Sequence, residues 1–214
     1  MSALPLGVFY GRMNPYTRGH ASVLNFINRN GREPVIIVSH TQNGNKNPLT
    51  ANQKINFIKR SLPGRRVKVM ATSKNKPTIF HILHNLKVNN PNIKVYLGSN
   101  RIQTLGKSLE KAGYLVEQFG LNRTNTGTNL AGVSGTQARL AARTYNTPLF
   151  NRMATPWLNM STRNSIMQTI RNQTQNKKKK RESTPSDNKP MKKKKRNNTS
   201  PPRTVSSRSR RSAA

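Results

Sequence analysis

Two groups of side chains in this sequence have the types and spacing to hold an anion. The first lies in Gly11-Arg12-Met13-Asn14-Pro15-Tyr16-Thr17-Arg18-Gly19-His20, where an apolar run gives way to a turn and then to a helical pattern. A helix starting at such a turn has unpaired N–H groups and the positive end of its dipole there, and a phosphate satisfies both. Gly11 and Gly19 let the backbone approach a ligand, with Arg12 and Asn14 between them. The His20 ring can donate to phosphate oxygens, and Thr17 offers a hydroxyl one turn earlier. The alternative for His20 is an ordinary capping or surface residue. The second group is Ser134, Thr136 and Arg139, two short hydroxyls at another helix start with an arginine one turn in. The planar donor fork of arginine suits phosphate oxygens; the alternative is a helix cap with a solvent-facing arginine.

Weaker candidates surround these. Lys46 and Arg123 sit in polar loops, where each could swing onto bound phosphate or stay solvated. Gly98 and Asn100 belong to Gly98-Ser99-Asn100-Arg101, directly after an apolar run. His40 could line the same region or only end a strand. His81 and His84, at i and i+3 with no nearby third ligand, read as helix-face residues rather than a metal pair. With so few carboxylates no protein-held metal is expected, and Mg²⁺ would have to arrive on the phosphates of a ligand.

The elements that would position these residues alternate. Strands are expected at Leu4–Tyr10, Pro34–Val38, Val67–Ala71, Ile93–Leu97 and Tyr114–Phe119. Helical spacing covers Ala21–Asn28, a segment capped by Thr50, another opened by Pro77-Thr78, and Ile102–Ala112. Further helices are expected over Gly135–Arg143 and, after breaks at Pro148 and Pro156, over Thr162–Arg171. This alternation predicts a parallel five-stranded α/β sheet with right-handed crossovers and helices on both faces. Ligands of such sheets collect at the carboxyl ends of the strands, where the unusual loops lie.

From about residue 172 the composition changes, so the sequence predicts one domain over 1–171 and a disordered basic tail over 172–214. The tail carries Lys177-Lys178-Lys179-Lys180-Arg181 and Lys192-Lys193-Lys194-Lys195-Arg196. Paired blocks of this kind fit a nuclear localisation signal read by an import receptor, a nucleic-acid-binding arm, or both. The whole chain has 39 Lys+Arg against 5 Asp+Glu, a net charge of +34. Residues 1–170 alone carry 23 basic and 3 acidic residues, so acid is nearly absent from the predicted domain too. Such a balance implies a polyanionic partner, most simply nucleic acid bound without sequence preference. With no cysteine, disulfides, thiolate metal sites and cysteine nucleophiles are excluded. No apolar run is long enough to span a membrane, and the N-terminus lacks a signal-peptide pattern, so a soluble, non-secreted protein without membrane partners is expected.

The motifs carry a resemblance. Gly11 to His20 resembles the phosphate-binding signature of the nucleotidyltransferase superfamily, the cytidylyltransferases and adenylyltransferases with a His/Thr-x-Gly-His turn. Val133-Ser134-Gly135-Thr136-Gln137-Ala138-Arg139 is similar to their second signature, Ile-Ser-x-Thr-x-x-Arg. Ser39-His40-Thr41 with Lys46-Asn47-Pro48-Leu49 resembles a loop of phage and large-virus members. The likeness runs in order over residues 4–145 and implies a Rossmann-like domain. It also implies nucleotidyl transfer, in which an oxygen, typically of a phosphate, attacks the α-phosphate of a nucleoside triphosphate and pyrophosphate leaves. Thr17, His20, Ser134, Thr136 and Arg139 are then the expected catalytic set. Gly11, Arg12, Asn14, Gly19, Lys46, Gly98, Asn100 and Arg123 are the expected nucleotide contacts. The chain departs from the pattern at Asn100, where relatives commonly have aspartate, and at Leu121–Thr126, where they are often acidic. Two functions follow: an active nucleotidyltransferase with a nucleic-acid tail, or an inactive relative that binds or coats nucleic acid. The viral resemblance and the import-like blocks lead to the expectation of a viral protein in the virion or the nucleus of an infected cell, or otherwise in the cytoplasm.

Overall fold

The computed structural model describes residues 4–44, 46–98, 101–119 and 133–182, all within the compact unit Met1–Ser183. Five strands form one parallel sheet: β1 (Leu6–Gly11), β2 (Glu33–Val38), β3 (Lys68–Ala71), β4 (Ile93–Gly98) and β5 (Leu115–Phe119). Their order is β3-β2-β1-β4-β5, with Gly11 opposite Val38 and Phe9 opposite Tyr96. The strand order reverses between β1 and β4, and a cleft at their carboxyl ends is the expected ligand position.

Period-two alternation sorts the central strands onto two cores. Phe9, Ile36, Val38 and Tyr96 face one side with Leu24, Ile27 and Ile58 of helices α1 (Arg18–Arg29) and α2 (Ala51–Arg60). Val8, Val35, Ile37, Val95 and Leu97 face the other with Ile82, Leu83 and Leu86 of α3 (Ile79–Asn89) and Leu109 of α4 (Lys107–Lys111). β1 and α1 approach closely: a β-carbon on Gly7 would collide with Ile27 Cγ2, so the position favours glycine.

A third cluster joins α5 (Gly135–Arg143), α6 (Thr147–Met153) and α7 (Met160–Glu182) to α2 through Phe57, Ala138, Ala141, Phe150, Ile166 and Ile170. Burying each large side chain contributes roughly 1.5–3 kcal/mol, which fixes α5 and its N-terminus against the sheet domain.

Three expectations need correction. Pro148 does not break a helix; it occupies the first turn of α6, where its missing N–H costs nothing, and Asn146 caps that turn. The stretch Ile102–Ala112 is not one α-helix: residues Ile102–Gly106 form a π-helical turn before α4. The last helix starts at Met160 and continues past residue 171 to Glu182, taking the backbone of Lys177–Arg181 with it. Lysine, arginine and glutamine are good helix formers, and extending a helix already nucleated by the buried Ile166–Ile170 turn costs little.

Candidate functional site

At the carboxyl ends of β1 and β4 the chain forms a cleft of about 320 Å³. Its wall includes Gly11, Arg12, Asn14, Gly19 and His20 from the β1–α1 connection, Gly98 and Arg101 after β4, and Ser134, Thr136 and Arg139 at α5. The N-termini of α1 and α5 therefore open on one space, and both dipoles make it favourable for an anion.

The first turn of α1 orients the histidine. Thr17 is the N-cap, with extended φ and ψ of −131° and 170°. Its backbone N–H donates to His20 Nδ1 at 2.9 Å, and its hydroxyl lies at the same distance from that atom. His20 thus plays the part that glutamate or glutamine takes in a capping box. Because Nδ1 accepts, the neutral ring carries its hydrogen on Nε2. Tyr16 stacks on the ring at 5.6 Å and Phe9 flanks it at 6.0 Å, which holds its plane. Thr17 itself is buried and is not part of the cleft wall, so its hydroxyl serves His20 rather than a ligand.

Asn14, in the cleft wall, also reaches the loop after β2. Its side-chain oxygen accepts from the Leu49 N–H at 3.2 Å, and its amide donates to the Leu49 carbonyl at 3.5 Å. The side chain is spent on pinning the loop after β2 to the loop after β1. Met13, just before it, is buried with a φ of 43°, a left-handed conformation that costs a residue with a β-carbon about 1 kcal/mol or more.

At α5, Ser134 caps the helix by accepting from the Gln137 N–H at 3.1 Å. Arg139 donates through Nη1 to the Asn14 carbonyl at 2.6 Å and through Nη2 to Thr136 Oγ1 at 3.0 Å. The serine and threonine oxygens are accepting in these bonds, so each hydroxyl hydrogen can still be directed to an anion. Arg139 ties the two phosphate-type loops together across 125 residues of sequence.

The electrostatics are one-signed. Burial pushes Arg139 below its ordinary pKa, and the charges of Arg143 and Arg12 push it the same way. Burial also lowers Arg101; the Tyr10 phenol opposes that shift and Arg12 adds to it. The Arg101 guanidinium lies 5.0 Å from the Tyr10 ring centroid. None of Glu33, Glu110 and Glu117 is in the cleft wall, and among the described residues no group of three His, Asp or Glu could hold a metal. The described donor set, arginines, hydroxyls and helix N-termini, fits polyphosphate rather than a protein-held cation.

Arg101 and Asn47 line the cleft without having been singled out as contacts by the sequence. The signal for Arg101 was its place immediately after the fourth strand's Gly-Ser-Asn. Lys46 is exposed and absent from the cleft wall, though its neighbour Asn47 is part of it. His40 lies elsewhere: its backbone and Nδ1 both meet Thr72 Oγ1 at 2.9 Å. His81 meets Thr78 at the start of α3. Asn100, Arg123 and Lys192–Arg196 lie outside the described residues.

Comparison with known proteins bears on the family and the fold. A family model described as cytidylyltransferase-like matches residues 8–162. Among solved structures, a bifunctional NMN adenylyltransferase/ADP ribose pyrophosphatase from Francisella tularensis, complexed with AMP and a manganese ion, superposes with a TM-score of 0.60 at 16% identity. The match covers 84% of this chain and 54% of that one, so the chain spans about half the length of the Francisella protein. A Plasmodium falciparum nicotinic acid mononucleotide adenylyltransferase complexed with NaAD has a TM-score of 0.53 at 15% identity, covering 76% of this chain and 94% of that one. At such identities the likeness is one of fold. No curated protein sequence matches the chain.

Proposed function

The chain belongs to the cytidylyltransferase-like family, and from that premise we propose that it binds a nucleoside triphosphate in the cleft and catalyses nucleotidyl transfer. A phosphate oxygen of the acceptor attacks the α-phosphorus, the bond from that phosphorus to the bridging oxygen breaks, and pyrophosphate leaves with the bond's electron pair. His20 Nε2–H and the α1 N-terminus stabilise the charge on the α-phosphate. Arg139, with the Ser134 and Thr136 hydroxyls, takes the β- and γ-phosphates. Such chemistry needs positioning and charge neutralisation more than a protein base. Magnesium enters as part of the nucleotide complex, and no step is assigned to a protein-held ion. The observation that carries this reading is the convergence of the His20 and Arg139 turns, joined by the 2.6 Å bond from Arg139 to the Asn14 carbonyl.

The test uses full-length protein, magnesium and each nucleoside triphosphate with nucleotide, sugar-phosphate and phosphorylated oligonucleotide acceptors, and follows pyrophosphate. Turnover is expected, reduced on the order of 10²-fold in His20→Ala. Absence of turnover with every acceptor, or turnover unchanged by that substitution, defeats the proposal.

A second reading rests on the missing acids of the cleft wall. In it the cleft is an inherited polyanion site on a protein used to bind nucleic acid, through the basic surface and through Lys177–Arg181 and Lys192–Arg196. Nucleotide binding without turnover, together with a steep loss of DNA or RNA affinity with salt, favours this reading. Association of either basic block with a nuclear-import receptor, and location in the nucleus or a virion, belong to the same proposal.

A further inference from the structure

Away from the cleft, the turn from α5 to α6 contains an anomaly. Helix α5 ends in a Schellman arrangement: the Asn146 N–H donates to the Ala141 carbonyl at 2.9 Å, with Tyr145 in the left-handed position at φ 59°. That position favours glycine, then asparagine, because a β-carbon is strained there. A tyrosine would be explained if its ring were core, but Tyr145 is 65% exposed. The fold therefore bears a strained residue to present an aromatic ring to solvent.

The surroundings of the ring say what it would meet. The Arg171 guanidinium carbon lies 3.9 Å from the ring centroid. Arg171 is braced there by its Nε, which donates to the Ala142 carbonyl at 2.6 Å, and no described carboxylate pairs with it. A shallow groove runs from the ring along α7, floored by Met167 and edged by Asn164 and Gln168. Beside it Arg143 bonds Thr174 through Nε, and one helical turn before Arg143 stands Arg139 of the cleft. In the other direction the α7 backbone continues into Lys177–Arg181.

An exposed aromatic ring backed by a fixed arginine, amide side chains along a groove, and Arg143 and Arg139 leading away from it match how single strands are held. Bases stack on rings, and phosphates follow the positive track. We propose that the groove between the α5–α6 turn and α7 binds single-stranded nucleic acid, with a base stacked on Tyr145 and the strand's phosphates on Arg171 and Arg143. The site is separate from the cleft and does not rest on the transferase reading. A purely structural role for the pair, clamping α5 to α7, makes the opposite predictions for substitution.

The test compares a fluorescein-labelled thymidine oligomer with an abasic oligomer of equal length, both titrated with the full chain by fluorescence anisotropy. The two carry the same phosphates, so the cationic tail, which has no aromatic residue over 172–214, contributes equally to both. The wild type is expected to prefer the thymidine oligomer by on the order of tenfold. Tyr145→Gly abolishes that preference while the thermal midpoint holds or rises, and Tyr145→Phe keeps the preference. Tyr145→Asn, which also tolerates the left-handed position, replaces the glycine variant should it fail to fold. Equal binding of the two oligomers by the wild type, or a preference that survives Tyr145→Gly, overturns the proposal. So does a lowered midpoint with unchanged preference, the mark of a clamp.

Discussion

Lys54 offers the sharpest test of how burial and charge are balanced around the cleft. It projects from α2, is only 1% exposed, and donates through Nζ to the carbonyls of Ser39 at 2.7 Å and Thr41 at 2.9 Å. Burial, helped by the charge of Arg12, pulls its pKa from 10.5 down to about 8. A neutral amine has two N–H groups, matching those two carbonyls, so deprotonation keeps both bonds and discards a buried charge. Between pH 8 and 10.5 the unfolded chain holds this proton and the folded chain does not. Stability therefore rises with pH across that window, and the penalty is fully present below it. The drop from 10.5 to about 8 corresponds to roughly 3 kcal/mol. Lys54→Met removes the titration and leaves two carbonyls without their donor. Urea unfolding, followed by the single Trp157, is measured for both proteins at pH 7.5 and pH 10. The advantage of wild type over variant should grow by about 2–3 kcal/mol at the higher pH. Parallel profiles would refute the argument from burial. A shrinking advantage would mean that the carbonyls hold the ammonium more strongly than burial expels it.

Three further outcomes follow from the packing and the cleft. Gly7→Ala should cost about 1–3 kcal/mol in urea unfolding, because its β-carbon would strike Ile27 Cγ2; no loss would mean that β1 and α1 can separate freely. Asn14→Ala should destabilise by roughly 1–3 kcal/mol, since the buried Leu49 N–H loses its acceptor, and should also weaken nucleotide binding measured by calorimetry. Tripolyphosphate at about 100 times its Kd should stabilise the wild type by about 2.7 kcal/mol. In Arg139→Lys the affinity should fall, because an ammonium cannot bridge the Asn14 carbonyl and Thr136 Oγ1 together; unchanged affinity would reduce the arginine to a point charge.

Much of this was legible in the sequence because the signals were local. Apolar runs such as Val35–Val38 and Val95–Leu97 mark strands buried on both faces. Gly31 and Thr50 mark a helix end and a helix start. The cleft pair, Gly11 to His20 and Ser134 to Arg139, could be read because each turn has its own spacing. The partners of those side chains could not. That Thr17 serves His20, and that Asn14 is spent on Leu49, depends on which atoms meet across the fold. The strained Tyr145 looked like any surface tyrosine, since φ is a property of the backbone path and not of composition. The length of α7 was missed for a related reason: a basic run has no apolar periodicity, yet it can extend a helix that hydrophobic residues upstream have already nucleated.

The scarcity of acid in the folded part can now be placed. A protein that only needed a basic tail could keep ordinary surface carboxylates on its domain. Here burial, and after it the charge of Arg12, lowers the proton affinity of Arg101 and of Arg139, in a cleft whose described wall contains no acid. Like charges held together without counter-charge raise the energy of the empty cleft, and any phosphate chain relieves that repulsion. Relief of this kind acts on triphosphate and pyrophosphate alike, so it strengthens binding without favouring the transition state. Discrimination between bound ligand and transition state must then come from elements whose geometry is fixed before the ligand arrives. In this chain those are the His20 ring, held by Thr17, Tyr16 and Phe9, and the N-terminus of α1 beneath it. In the proposed transfer, charge supplies affinity and the histidine turn supplies direction.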